Sequence, residues 1–279
     1  MIVAKTLAEF YQACDNLENK HGIGFVPTMG ALHQGHISLV KIAAEQSAHT
    51  VVSIFVNPTQ FNNKQDLETY PRTLKEDCAL LEECGVDIVF APDVKDIYPQ
   101  EENRLFDLGG LDKYGEGPRR PGHFNGVAQV VTRLFDIVKP ARAFFGEKDF
   151  QQVAILKYVV KQLNYPVEII QCPIVREADG LAKSSRNTLL TPAQRAAAPH
   201  IYACISQAKA YMKTLTPAQV AEAVAREINT CPELETEYVE IVDAQMLRPV
   251  TNWDEAEKIQ LWCAVYASPV RLIDNINLK

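Results

Sequence analysis

No apolar run in this 279-residue chain approaches the roughly 20 residues that a membrane-spanning helix requires. The opening IVAKTLAEF after Met1 does not read as a signal peptide. Metal-type cysteine pairs are missing: the seven cysteines, at 14, 78, 84, 172, 204, 231 and 263, form no CxxC cluster. Their odd number and scatter fit reduced thiols and predict a cytoplasmic protein. None has a claim in sequence to be a nucleophile. Basic charge is in deficit, with 28 Lys and Arg against 35 Asp and Glu, a net charge of -7. That argues against a general nucleic-acid coat, which needs a strongly basic surface, but allows a local basic pocket for a small anion. There is no internal repeat and no low-complexity tract. What is present is apolar material: 47% of the residues are hydrophobic, enough for a sizeable core and against global disorder.

The first half alternates apolar segments with amphipathic ones. Strands are predicted at 23–27, 51–56, 86–90, 143–145 and 167–171. Helices are predicted at 35–47, 71–84 (Pro71 in its first turn), 124–138 and 150–163. This βα rhythm predicts a mostly parallel sheet covered on both faces. Beyond a boundary after Val175 the pattern changes. An alanine-rich helix at 193–210 and a second at 217–229 precede strands at 238–242, 261–265 and 270–273. The expected architecture is α/β, with residues 1–175 in the parallel-sheet domain and 176–279 in a smaller C-terminal α+β domain.

Residues 27–36, PTMGALHQGH, carry the clearest chemistry. They fall where a strand gives way to a helix, and ligands of parallel sheets collect beyond the strands' carboxyl ends. Gly30 and Gly35 let backbone approach a ligand closely. The helix beginning near Gly35 directs amide donors at an anion, and His33 and His36 add imidazole donors. Such a set suits a triphosphate whose pyrophosphate leaves. A structural turn with one packed histidine is the plainer alternative. Zinc is not expected, because no third ligand lies nearby.

Other segments fall at the same edge. In FVNPTQF, Asn57 and Gln60 offer uncharged amides for a hydroxyl or carboxylate; a polar turn is the equal alternative. Tyr70 and Arg72 precede Glu76 and Asp77, of which Asp77 is the candidate magnesium ligand if a magnesium–nucleotide complex binds. In RRPGHFNG, Arg120 and His123 are preferred to Arg119, which reads as part of a surface turn. In FGEKDFQQ, Lys148 can neutralise phosphate as a compact cation. Asp149 either caps the next helix or accepts from a ribose hydroxyl. Gln152 lies one turn on. LAKSSRN at 181–187 brings Ser184, Ser185 and Arg186, a possible phosphate clamp. No base–acid pair marks either serine as a nucleophile.

Taken together and in order, PTMGALHQGH, FVNPTQF, YPRTLKED, RPGHFNGV, FFGEKDFQQ and GLAKSSRN resemble the pantothenate synthetase, or pantoate–beta-alanine ligase, family over most of the chain. The resemblance implies a Rossmann-like sheet of the nucleotidyltransferase type, related to the HIGH and KMSKS enzymes that charge tRNA. A tRNA-charging role itself is disfavoured by the acidic chain. The resemblance implies ATP as cosubstrate, Mg2+ and a homodimer, and the need to shield a reactive intermediate from water predicts that the C-terminal domain is a lid. It puts His33, His36, Lys148, Ser184, Ser185 and Arg186 around the ATP phosphates, and Gln60 and Gln152 on pantoate. Met29 falls near the reacting centre. Tyr70, Arg120 and His123 match active-site positions. Asp149 faces the ribose, and backbone near Gly146 and Val175 holds the nucleotide. Asp77 matches a position linked to magnesium.

Two residues depart from the family pattern. Gln34 replaces a usual glutamate. Lys183 replaces an apolar residue near the adenine, where it either reaches phosphate or covers the purine with its stem. The implied reaction is attack of pantoate carboxylate on ATP, giving a pantoyl adenylate and pyrophosphate, then attack of the beta-alanine amine to release AMP. Another adenylylating enzyme and a nonenzymatic nucleotide sensor are the competing readings.

Overall fold

The computed structural model describes residues 1–18, 22–61, 67–68 and 70–279. Contacts divide them into two compact units: Met1–Gly109 with Arg120–Pro173, and Gly110–Arg119 with Ile174–Lys279. The cut at Pro173 lies two residues before the boundary drawn from sequence. The second difference is larger, because residues 110–119 group with the C-terminal unit. Charge pairing explains it. Arg271 donates to both carboxylate oxygens of Glu116 (2.8 and 2.7 Å), and the Tyr238 hydroxyl donates to the same group at 2.6 Å. Glu240 accepts from the Gly115 N–H and from Arg119. These partners are more than 120 residues apart in the chain, beyond the reach of a periodicity argument.

In the first unit, β1 (Ile2–Ala4), β2 (Ile23–Thr28), β3 (His49–Ile54), β4 (Ile88–Phe90), β5 (Arg142–Gly146) and β6 (Glu168–Cys172) form one parallel sheet. Its order is β1-β4-β3-β2-β5-β6. Successive side chains point to opposite faces, and both faces are packed. Phe25, Val51, Phe90 and Phe145 join one core with Phe10, Val127, Val131 and Leu156 from the helices Leu7–Asp15, His123–Val138 and Phe150–Gln162. Val26, Val52, Val89 and Phe144 join another with Val40 and Leu81 from Gln34–Gln46 and Leu74–Glu83. Each such buried side chain contributes about 1.5–3 kcal/mol.

From β2 the chain steps outward to β3 and β4, and later returns on the other side of β2 as β5 and β6. The strand order therefore reverses between β2 and β5. In an open α/β sheet the crevice beyond that point is where ligands bind. The loops after Thr28 and after Gly146 leave from its two sides.

Three local expectations change. The helix predicted from Pro71 begins at Leu74, because the Thr73 hydroxyl is committed to Asp77 and Thr73 is the N-cap. The alanine-rich stretch is two helices, Pro192–Ala197 and Pro199–Tyr211, since Pro199 has no N–H to continue the ladder. β1 and the helix Leu7–Asp15, closed by a capping box from Thr6 and Glu9, were not anticipated.

In the second unit, those two helices and Pro217–Ile228 accompany an antiparallel sheet of β7 (Glu235–Asp243), β8 (Ile259–Ala267) and β9 (Val270–Asn277). Ile205, Val220 and Val224 pack with Leu261 and Val265. Among the described residues, no helix is long and apolar enough to cross a membrane.

Candidate active site

At the end of β2 the Thr28 hydroxyl donates to the Ser53 carbonyl of β3 (2.7 Å) and accepts from the Gly30 N–H (3.2 Å). The chain then turns sharply through two left-handed residues, Gly30 at φ 83° and Ala31 at φ 50°. Glycine adopts this conformation readily, whereas an alanine there costs roughly 1–2 kcal/mol. The turn delivers His33 as N-cap of the helix Gln34–Gln46.

The two histidines cap that helix reciprocally. Nδ1 of His33 accepts from the Gly35 N–H at 3.1 Å, and Nδ1 of His36 accepts from the His33 N–H at 3.3 Å. A nitrogen that accepts from an amide carries no proton. Both rings are thereby held as the neutral tautomer whose Nε2 is the donor. The rings lie 4.1 Å apart. Burial first, and then the neighbouring His33 ring and the Lys148 ammonium, push the pKa of His36 down to about 3. His36 is consequently a neutral donor across the physiological range. Its first-turn neighbours add the helix's positive end, a favourable place for an anion.

Across the strand reversal, Gly146 leads into the turn Glu147–Asp149, which carries Lys148. Lys148 lies close enough to His36 to oppose its protonation. A Cβ on Gly146 would meet nothing within 4 Å, and its φ of -75° suits any residue. The fold therefore does not demand glycine there, and the open space suits a ligand pressed against backbone. Asp149 occupies the N-cap position of Phe150–Gln162 but makes no capping hydrogen bond. Gln152 follows on that helix, partly exposed.

The 3-10 turn Pro58–Gln60 packs on the helix His123–Val138. Asn57, 1% exposed, is fully engaged. Its amide donates to Gln60 Oε1 and the Gly126 carbonyl, both at 3.1 Å, and its oxygen accepts from Thr59 and from the Tyr98 hydroxyl at 2.9 Å. No atom of the Asn57 amide remains for substrate; it positions Gln60. Gln60 in turn donates from Nε2 to Met29 Sδ at 3.1 Å, which joins this turn to the histidine loop. His123 is also buried, its Nδ1 donating to the Gln60 carbonyl at 3.0 Å. Tyr70 stacks edge-on to Phe61, with ring centres 5.8 Å apart. Arg120, partly exposed, precedes the His123 helix and accepts the His123 N–H on its carbonyl.

Asp77 is 2% exposed. Its Oδ2 accepts from the Ala31 N–H (3.0 Å) and the Thr73 hydroxyl (3.2 Å), and its Oδ1 from the Leu32 N–H (2.8 Å). A carboxylate so engaged does not fit the magnesium ligand expected from the resemblance. Among the described residues, no three His, Cys, Asp or Glu side chains group as a metal site.

The second unit's candidates form their own local structure. The N–H of Lys183 donates to the Val175 carbonyl (2.9 Å), and Nζ of Lys183 donates to Glu177 at 2.6 Å. Ser184 caps the 3-10 turn Ser185–Leu189 by accepting from the Arg186 N–H at 3.2 Å. The Ser185 carbonyl accepts from the Thr188 hydroxyl, and the Arg186 side chain is exposed. Arg119, read from sequence as part of a surface turn, lies over the Tyr238 ring and bonds Glu240.

The structure adds residues that the sequence reading passed over. Thr28, Tyr98 and Thr73 act through one or two hydrogen bonds to residues distant in sequence or a turn away, which leave no pattern in sequence. Gly126 did leave one, as a glycine inside a helix. A Cβ there would fall 2.5 Å from the Thr59 carbonyl oxygen and 2.9 Å from Gln60 Cα.

Comparisons with known proteins agree with one another. The family model described as Pantoate-beta-alanine ligase matches residues 2–277. A pantothenate synthetase of Porphyromonas gingivalis is 50% identical over 257 residues, 92% of each chain. The crystal structure of pantothenate synthetase from Thermus thermophilus is similar with a TM-score of 0.92 and 41% identity, covering 100% of this chain and 99% of that one. Pantoate-beta-alanine ligase from Francisella tularensis, complexed with beta-gamma ATP and beta-alanine, gives a TM-score of 0.81 at 38% identity, over 99% and 97% of the two chains.

Proposed function

The chain belongs to the pantoate–beta-alanine ligase family and is a ligase of that kind; we propose that it condenses pantoate with beta-alanine at the expense of ATP, through a pantoyl adenylate. The observation that carries this reading is the reciprocal capping of His33 and His36 at the strand reversal. It presents two neutral Nε2 donors at a helix N-terminus, with Lys148 beside them.

An oxygen of the pantoate carboxylate attacks the α-phosphorus of ATP, and the bond to the bridging oxygen breaks as pyrophosphate departs with the electron pair. The obstacle is repulsion between an anion and a polyanion. Lys148 offsets it with a full charge. His33 and His36 follow the negative charge that grows on the leaving group, already oriented by their caps. No general base is needed, because the carboxylate carries no proton. Gln60 and Gln152 are assigned to pantoate. Tyr70, Arg120 and His123 are assigned to the substrate side, and Gly146, Asp149 and Val175 to the nucleotide. Ser184, Ser185 and Arg186 supply two hydroxyls and a guanidinium for phosphate oxygens. In the second step the uncharged amine of beta-alanine attacks the acyl carbon, AMP leaves with the C–O electron pair, and the amine proton passes to solvent or phosphate.

Rapid-quench analysis with ATP and pantoate tests the order. Pyrophosphate and pantoyl adenylate are expected before beta-alanine is added, AMP and pantothenate after it. Pyrophosphate release with other carboxylates but not pantoate would substitute a different adenylylating enzyme. Nucleotide binding without turnover would substitute a sensor. A homodimer is the assembly the family implies, and light scattering at the mass of one chain would remove it.

A further inference from the structure

We propose that Asp77 is a positioning residue that sets the shape of the histidine loop, and that it is not a metal ligand. The inference rests on the phosphate-handling role given to that loop. A buried negative charge beside a polyphosphate site opposes binding, so its presence calls for a compensating reason. Its oxygens supply one. Oδ2 and Oδ1 hold the N–H groups of Ala31 and Leu32, the two residues immediately before His33.

The loop needs such a hold. Gly30 and Ala31 are successive left-handed residues, and a non-glycine residue keeps that conformation only where its surroundings over-determine it. Thr28 fixes the entry through the Gly30 N–H. Asp77 fixes the exit, and Thr73 orients the carboxylate from the same helix. Space is limiting as well, since a Cβ on Gly30 would lie 3.0 Å from Asp77 Oδ2. The path of force runs from Asp77 through the amides of Ala31 and Leu32 to the His33 N–H, which is the donor that fixes the His36 ring.

Asp77→Asn is the informative substitution. It keeps the shape, but its amide nitrogen cannot accept, so one loop N–H loses its partner. Two readouts are used. The first is nitrogen-15 NMR of the His36 ring in the substrate-free protein, assigned with His36→Gln. In the wild type the ring stays neutral down to about pH 3. In Asp77→Asn its titration is expected to move up toward the ordinary range, because a loosened loop lets water reach a ring that burial keeps neutral. The second is magnesium dependence of pantoate-dependent pyrophosphate release. Turnover is expected to fall roughly a hundredfold, as misplacement of a reacting group does, with half-saturating Mg2+ within about twofold of wild type. A raised magnesium requirement with an unchanged His36 titration would overturn the proposal in favour of metal ligation. Unchanged values of both would overturn it outright. If Asp77→Asn does not fold, Thr73→Val removes one bond to Oδ2, and an upward shift of the same titration is expected; no shift refutes the clamp. The titration needs no substrate, so it decides the matter even if the wild type shows no pantoate-dependent turnover and the ligase reading falls.

Discussion

His36 and Arg186 are the foremost phosphate-binding candidates of their respective units, and the two units prepare them differently. His36 is fixed in tautomer and orientation by an amide of its own loop and kept neutral chiefly by burial, and that loop is held by Asp77 from a neighbouring helix. Arg186 leaves a short 3-10 turn with its guanidinium exposed, and only its backbone is fastened, to Ser184. The histidine loop incurs its ordering cost on folding. On the proposed reading, the Ser184–Ser185–Arg186 stretch incurs part of its cost when a ligand arrives. Preorganised donors act best on charge that develops in a transition state, whereas a long exposed cation adapts to where phosphate lies.

The largest effect should come from breaking the prepared side. His36→Ala or Lys148→Ala is expected to slow adenylate formation by ~3 kcal/mol of transition-state stabilisation, read by rapid quench. Arg186→Ala sharpens the contrast. It should also slow turnover, yet leave the unfolding free energy within about 0.5 kcal/mol of wild type, as exposed substitutions do. A normal adenylation rate in His36→Ala would end the role assigned here to the histidine loop.

Next in size is Gly126→Ala. The added Cβ would press on backbone of the Pro58–Gln60 turn, which cannot rotate away as a side chain could. Overpacking of this sort costs about 1–3 kcal/mol. Because the turn carries Gln60, a raised KM for pantoate should accompany the lower denaturation midpoint. A KM unchanged in a destabilised variant would separate Gln60 from the substrate.

Sequence stops being sufficient where side chains pair across long separations. The parallel sheet was legible because its strands are apolar on both faces and alternate with amphipathic helices. The histidine loop was legible because glycines and imidazoles cluster at a strand end. The grouping of residues 110–119 with the C-terminal unit was not, since it depends on Glu116 meeting Arg271 and Tyr238. Nor was the inward turn of Asn57 and Asp77. A polar side chain at a sheet edge looks the same in sequence whether it faces a ligand or bonds a backbone amide.

A smaller effect concerns acid. In the unfolded chain His36 takes up a proton near pH 6.5, but in the folded protein only near pH 3. As pH falls between those values the unfolded state binds the extra proton, so stability declines with falling pH. His36→Gln should flatten this decline by at most about 1.4 kcal/mol per pH unit, measured by denaturant titration at pH 5 and 6. Equal slopes in the two proteins would mean that the ring is not held neutral.

The smallest effect is expected at Lys183, where a charge stands at a position for which the resemblance implies an apolar residue. Sequence left two uses for it, reaching phosphate or covering the purine. In the structure its ammonium is 2.6 Å from Glu177, and its N–H bonds Val175 across the same turn, so its charge is satisfied within the segment 175–183. Both side chains keep some exposure, 20% for the lysine and 35% for the glutamate. An ion pair so placed is worth at most about 1 kcal/mol. Lys183→Met should therefore lower stability slightly and change ATP affinity by less than about twofold, a difference of under half a kcal/mol. Glu177→Gln provides the counter-test by calorimetry. If Lys183 is held away from phosphate by its partner, releasing it should tighten ATP binding. A large loss of affinity in Lys183→Met, with no change in Glu177→Gln, would show that the lysine reaches the nucleotide despite Glu177, and that this exposed segment is better prepared than its local contacts suggest.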